Sequence, residues 1–134
     1  SIDKIYSMLD WSNTDRIQKI GIKKAKKIKS VYVFILPILP ANSKSIWENC
    51  AKVLVDKSNE ELQPYLIKLF EWLKDMNWPG ADLIFDRLIL IPKELILPAY
   101  KHCVSLAEKT DDFAWSLSLK HFNEQYILNR KETS

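Results

Sequence analysis

The sequence predicts an all-α fold arranged as a superhelix of stacked helix pairs, and three observations carry that prediction. Apolar residues recur at spacings of three and four over nearly the whole chain, and only Val31 to Leu36 reads as a strand-like run. The 134 residues include only 2 glycines, too few for many tight hairpin turns or for a glycine-rich cofactor loop. Tryptophans mark successive corners at Trp11, Trp47, Trp78 and Trp115, separated by 36, 31 and 37 residues, with two helical patterns in each interval. That period belongs to helix-pair solenoids, in which each pair buries its open face on the next. No armadillo, ankyrin or tetratricopeptide consensus is met. The expected form is therefore an irregular HEAT/armadillo-like, right-handed α–α superhelix of about three antiparallel helix pairs plus a terminal helix, in one domain spanning residues 1–134. A compact helical bundle is the alternative. Trp72 stands outside the tryptophan spacing, in the helix before a corner.

Taken in order, Ser1 to Leu9 reads as a short helix with Ile2, Ile5, Tyr6 and Leu9 on one side. Ser12 or Asn13 is the expected cap of the next helix, about Thr14 to Lys29, whose apolar positions are Ile17, Ile20 or Gly21, Ile22, Ala25 and Ile28. Val31 to Leu39 is ambiguous, since Val31 to Leu36 alone would pass for a buried strand. With no second strand-like run to pair with, it is read as a short buried helix ended or kinked by Pro37 and Pro40. Asn42 or Ser43 opens a helix carrying Ile46, Trp47, Cys50, Ala51, Leu54 and Val55. Ser58 with Glu61 forms a capping-box pattern for a helix running to about Asp75, apolar round so much of its circumference that it should be central. The corner Asn77-Trp78-Pro79-Gly80 follows, with Trp78 marking the start of the next helix and Pro79 suited to its first turn. Ala81, Ile84, Phe85 and Leu88 form the next stripe. Pro92 starts another helix with Pro98 as a kink or a delayed start, and Thr110-Asp111-Asp112 opens the last. That helix carries Phe113, Trp115, Leu117, Leu119, Phe122, Tyr126 and Ile127. Asn129 to Ser134 is expected to fray.

Composition bounds function more loosely. The net charge of +3 hides a polarity: residues 1–57 balance to +6 and residues 58–134 to −3. Such asymmetry orients a partner without naming one. Ser1 to Leu9 carries Asp3 and Lys4 and has no long apolar run behind it, so a secretion signal is not expected and the cytoplasm is the expected compartment. Val31 to Ala41 is too short to span a membrane as a helix. Cys50 and Cys103 lie far apart in apolar helical patterns and are expected as buried reduced thiols.

Residue chemistry points away from catalysis. His102 and His121 are the only histidines, and His102 and Cys103, being adjacent on a helix, point in different directions. No metal-ligand spacing occurs, so no metal or cofactor is expected. Glu71 and Asp75, like Asp82 and Asp86, lie four apart on one helix face and flank the Asn77–Gly80 corner. Paired carboxylates can serve acid–base chemistry or form an acidic patch that binds a partner, but a solvated helix surface accounts for them more simply. The densest bias is cationic: Arg16, Lys19, Lys23, Lys24, Lys26 and Lys27 on one helix suit a nucleic-acid backbone. Against that stand the modest net charge and the lack of interleaved aromatics for base stacking.

Phe70-Glu71-Trp72-Leu73-Lys74-Asp75-Met76-Asn77-Trp78-Pro79-Gly80-Ala81 resembles the signature of the bacterial domain-of-unknown-function family DUF5071. Tyr6-Ser7-Met8-Leu9-Asp10-Trp11 and Ile46-Trp47-Glu48-Asn49-Cys50-Ala51 are similar to it as well, so the resemblance runs from about Ile5 to Tyr126. It implies a small, all-helical, HEAT-like cytoplasmic protein of bacteria, with no activity whose residues can be carried over. The function expected is a non-catalytic protein-binding module of an immunity-like or regulatory kind. Its contact surface is expected at Lys68, Glu71, Trp72, Asp75 and Trp78, and its partner is another protein. Nucleic-acid binding through the lysine-rich helix is the alternative.

Overall fold

The computed structural model describes residues 1–38 and 44–133, and among these every regular element is helical, with no strand. The eight helices are α1 (Ile2–Leu9), α2 (Asp15–Ala25), α3 (Lys44–Leu54), α4 (Asn59–Leu62), α5 (Leu66–Glu71), α6 (Ala81–Ile89), α7 (Lys93–Lys109) and α8 (Phe113–Thr133). Short 3-10 turns lie at Tyr32–Phe34, Gln63–Tyr65 and Trp72–Lys74. No described helix is long and apolar enough to cross a membrane.

α1 packs on α2 and α3, α2 on α3, and α3 on α6; α5 packs on α7, α7 on α8, and α8 returns to α6 and the 72–74 turn. One apolar core runs through all of them, from Leu9 and Phe34 through Trp72 and Phe70 to Trp115 and Phe122. The α1–α2 crossing is close because Gly21 has no side chain: a Cβ there would stand 2.7 Å from Met8 Cβ.

At the first corner the cap of α2 is Thr14, whose hydroxyl accepts from Ile17 N at 3.3 Å, and not Ser12 or Asn13. Those two are used otherwise. Ser12 donates its N–H and hydroxyl to Asp10, and Asn13 Nδ2 donates to Ser7 O at 2.7 Å. The α2 helix ends at Ala25, short of Lys29, and its inward residues are Gly21 and Ala25 with Ile22 and Ile28 half-buried beside them. Ile17 and Ile20 face outward, 38% and 39% exposed.

The 31–38 segment is neither a strand nor a full helix. Only Tyr32–Phe34 coils, and the chain reaches Leu36 at φ 43°, which stops propagation before Pro37. Val31, Phe34 and Ile35 are still buried, so the apolar run serves as core filler without regular structure. Leu39 and Pro40, and the expected caps Asn42 and Ser43, lie outside the described residues.

The expected continuous helix from Ser58 to Asp75 is broken into α4, a 3-10 turn, α5 and a second 3-10 turn. Its start is as predicted: Ser58 Oγ accepts from Glu61 N while Glu61 accepts from Ser58 N. Pro64 then interrupts it, since it has no N–H for the ladder and its ring crowds the carbonyl four residues back. Pro98 lies inside α7, six residues in, so the helix starts before it and not after. Of the 129–134 stretch expected to fray, Ser134 lies outside the described residues and α8 extends through residue 133, with Arg130 donating to Ile89 O and Ile91 O and stacking 3.5 Å from the Tyr126 ring centroid.

Hydrogen bonds from Ser45 and then Ser12 hold the Asp10 carboxyl below the usual carboxylate range. Glu61 is lowered in the same way by the Ser58 N–H and hydroxyl. Because both folded values lie below the unfolded ones, their stabilisation is complete above the ordinary carboxylate range and is lost as pH falls through the lowered values. Thermal melts at about pH 6 and about pH 3 should show a loss on acidification that shrinks, without vanishing, in Asp10→Asn.

Candidate functional site

The corner between Glu71 and Leu88 is built around buried tryptophan. Trp72 is fully buried; it meets Trp47 edge-on at 6.2 Å between ring centroids and donates its indole N–H to Pro79 O at 2.9 Å. Trp78, half-buried, also meets Trp47 edge-on, at 5.5 Å between centroids, and Lys44 Nζ lies 5.8 Å and 5.9 Å from the Trp47 and Trp78 centroids. A tryptophan from α3 is thus gripped by two from the corner, which ties α3 to the start of α6.

The helix after the corner begins at Ala81, three residues later than Trp78. Pro79 lies in the connecting turn, where its carbonyl and not its missing N–H is put to use. Gly80 occupies the N-cap position at φ 86°, a left-handed conformation that favours glycine. It also allows the close approach: a Cβ there would stand 2.7 Å from Ala51 Cβ, 3.0 Å from Trp47 O and 3.2 Å from the Trp72 ring. Asp75 steadies the exposed side of the turn by accepting from Asn77 N at 2.8 Å.

Of the five residues expected to make a contact surface, the structure removes Trp72. Its ring has no exposed area because the α3–α6 joint closes over it. Trp78 offers only part of its ring, Glu71 is mostly covered and pairs with Lys68 at 3.5 Å, and Lys68 and Asp75 are exposed. Asp82 and Asp86 are exposed on α6. The corner therefore presents Asp75, Asp82 and Asp86 outward from a rigid base.

Grooves lie elsewhere. One of about 550 Å³ runs along α7 over Lys93, Glu94, Leu97, Pro98 and Lys101, and a second beside it reaches Pro64, Ile67 and His102. A third, of about 390 Å³, lies between α1 and the 32–38 segment. None of Glu71, Asp75, Asp82 and Asp86 lines these three grooves. Cys50 and Cys103 are buried free thiols, both pushed up to about 12, chiefly by burial. At neutral pH neither supplies a thiolate nucleophile. Among the described residues no group of three or more His, Cys, Asp or Glu could hold a metal ion.

All six cations expected to face a nucleic acid are exposed: Arg16, Lys19, Lys23, Lys24, Lys26 and Lys27. Lys26 is held 2.6 Å from Asp56. The sequence reading missed four polar anchors that join distant elements. Asn49, buried, donates to Leu9 O and Gln18 Oε1; Lys57 donates to Ile28 O at 2.6 Å. Arg87 reaches Val55 O, Lys57 O and Asn59, and Arg130 closes the α6–α7 connection. The only signal for them was a polar residue falling on or beside an apolar stripe.

Fold and site together define a small protein, all-helical among the described residues, whose most specific sequence block forms a tryptophan joint between α3 and α6. The chain belongs to the family described as Domain of unknown function (DUF5071), whose model matches residues 44–133. That span takes in the tryptophan joint and everything after it, whereas α1, α2 and the 31–38 segment precede it. No curated protein and no solved structure matches the chain.

Proposed function

We propose that the chain is a non-catalytic protein-binding module of HEAT-like form, whose binding face is the acidic edge at the α5–α6 corner. The observation that carries the reading is the joint itself. Asp75 in the turn, Asp82 in the first turn of α6 and Asp86 one turn further along it are exposed beside the Trp47–Trp72–Trp78 cluster. Charges fixed on a rigid base bind with less ordering cost than charges on a mobile loop. The chemistry suits a basic surface on a partner protein, and an immunity-like or regulatory role in the bacterial cytoplasm belongs to the same proposal. The HEAT-like form is supported by the order of packing, with α1, α2 and α3 in succession, α3 on α6, and α5, α7 and α8 in succession. Affinity capture from the native host should retain a specific basic protein on the wild-type chain and lose it on Asp75→Lys/Asp82→Lys. Failure of the wild-type chain to hold any specific protein would sink the proposal.

A second reading, nucleic-acid binding, is favoured by the full exposure of the α2 cationic face. Titration with labelled DNA and RNA at two salt concentrations separates the two. Salt-dependent binding that weakens in Lys23→Glu/Lys24→Glu supports it, and no binding at micromolar protein disposes of it.

A further inference from the structure

The last helix is apolar on two opposite faces. Trp115, Leu119, Phe122 and Tyr126 point into the core, and Phe113, Leu117, Ile127 and Leu128 lie on the outer face, 80%, 69%, 46% and 49% exposed. At 100° per residue the outer four share their face with Lys120, Glu124 and Lys131, all exposed. Scattered exposed leucines need no explanation, but four large apolar side chains on one face of a 21-residue helix form a contact surface.

We propose that two copies of the chain associate through this face, their α8 helices antiparallel about a two-fold axis level with residue 122. The order of residues along the face is what selects a second copy. From that level, Leu117 lies about 7.5 Å toward one end and Ile127 about 7.5 Å toward the other, with Lys120 and Glu124 about 3 Å to either side. A two-fold rotation therefore sets Leu117 against the partner's Ile127 and Leu128, and Lys120 beside the partner's Glu124, each contact occurring twice. Neither Lys120 nor Glu124 forms an ion pair within the described residues, so both are available for one across the seam. The central charges fix register and direction, since a parallel or shifted pairing sets like charges or a charge and a leucine together. Head-to-tail docking onto the exposed cationic face of α2 is not favoured, because the outer face of α8 carries Lys120 and Lys131 against the single Glu124 and offers no acidic complement. A single helix face is smaller than a standard interface, so the dimer is weak and depends on concentration. It uses none of the residues of the acidic edge, and the two proposals stand or fall separately.

Sedimentation equilibrium of the full chain up to about 500 μM tests this, with far-UV circular dichroism to establish that each variant is folded. The native chain should show a monomer–dimer equilibrium. Leu117→Asp and Lys120→Glu should each weaken it by about tenfold or more, and Lys120→Glu/Glu124→Lys should return it to within about threefold of the native value. A native chain monomeric throughout, a dimer indifferent to Leu117→Asp, or a charge exchange that fails to restore what Lys120→Glu removes would overturn the proposal.

Discussion

Trp72→Ala is expected to cost about 5 kcal/mol of folding stability, a large share of what a domain of this size possesses. Two losses combine. Truncating a fully buried indole removes its apolar burial and leaves a cavity beneath Trp47 and Gly80. The Pro79 carbonyl also loses the N–H it accepts from at 2.9 Å, at a turn where no helix ladder replaces it. Because this variant is so depleted, Trp72→Phe provides the graded comparison. It keeps most of the ring area but donates nothing to Pro79, and should cost about 2 kcal/mol. Denaturant unfolding of both variants checks the pair. Near-native stability in Trp72→Ala would mean that the joint does not depend on the ring at its centre.

Gly80→Ala is expected to cost about 3 kcal/mol, read in the same unfolding experiment. An alanine at φ 86° brings the strain of a left-handed L-residue, and its Cβ would enter space already taken by Ala51 Cβ and Trp47 O. The two contributions separate in a double-mutant cycle. In an Ala51→Gly background the clash with Ala51 Cβ is relieved while the approach to Trp47 O and the backbone strain stay, so Gly80→Ala should cost less there by about 1 kcal/mol. Equal costs in the two backgrounds would show that Ala51 Cβ is not what makes glycine necessary. Both variants act on the joint without touching Asp75, Asp82 or Asp86. Loss of partner capture alongside loss of stability would link the rigid base to the exposed acidic edge.

The all-helical class was legible because helical periodicity is written into each stripe separately: Ala81, Ile84, Phe85 and Leu88 are buried as their spacing predicts. The capping box at Ser58 and Glu61 was legible for the same reason, being local to four residues. What escaped was set by tertiary context. Pro64 divides a helix whose apolar pattern runs on across it, because periodicity does not register a missing N–H. The 31–38 segment is apolar enough for strand or helix and adopts neither, since filling the space beside Trp47 and Tyr6 is enough to bury it; Tyr6 donates to Val33 O and Trp47 to Pro37 O. Tryptophan spacing located the corners but not their roles. Trp11 is 56% exposed, Trp115 donates its indole N–H into the core at Phe70 O, and Trp72, which breaks the spacing, makes the joint. Exposure of the tryptophans was the least legible part, because sequence distinguishes a surface tryptophan from a core one only through its neighbours in space. Lys68 and Asp75 are exposed as a contact requires, and Trp72 is not.

Hydrogen exchange at the tryptophan indole N–H groups, followed by nitrogen-15 NMR, tests the tryptophan joint most directly. If Trp72 is the closed centre of the corner, its indole N–H exchanges only through global unfolding, as slowly as that of Trp115, while the exposed Trp11 exchanges at once. Exchange at Trp72 as fast as at Trp11 would mean that the corner opens on its own, and that the acidic edge rests on no fixed base.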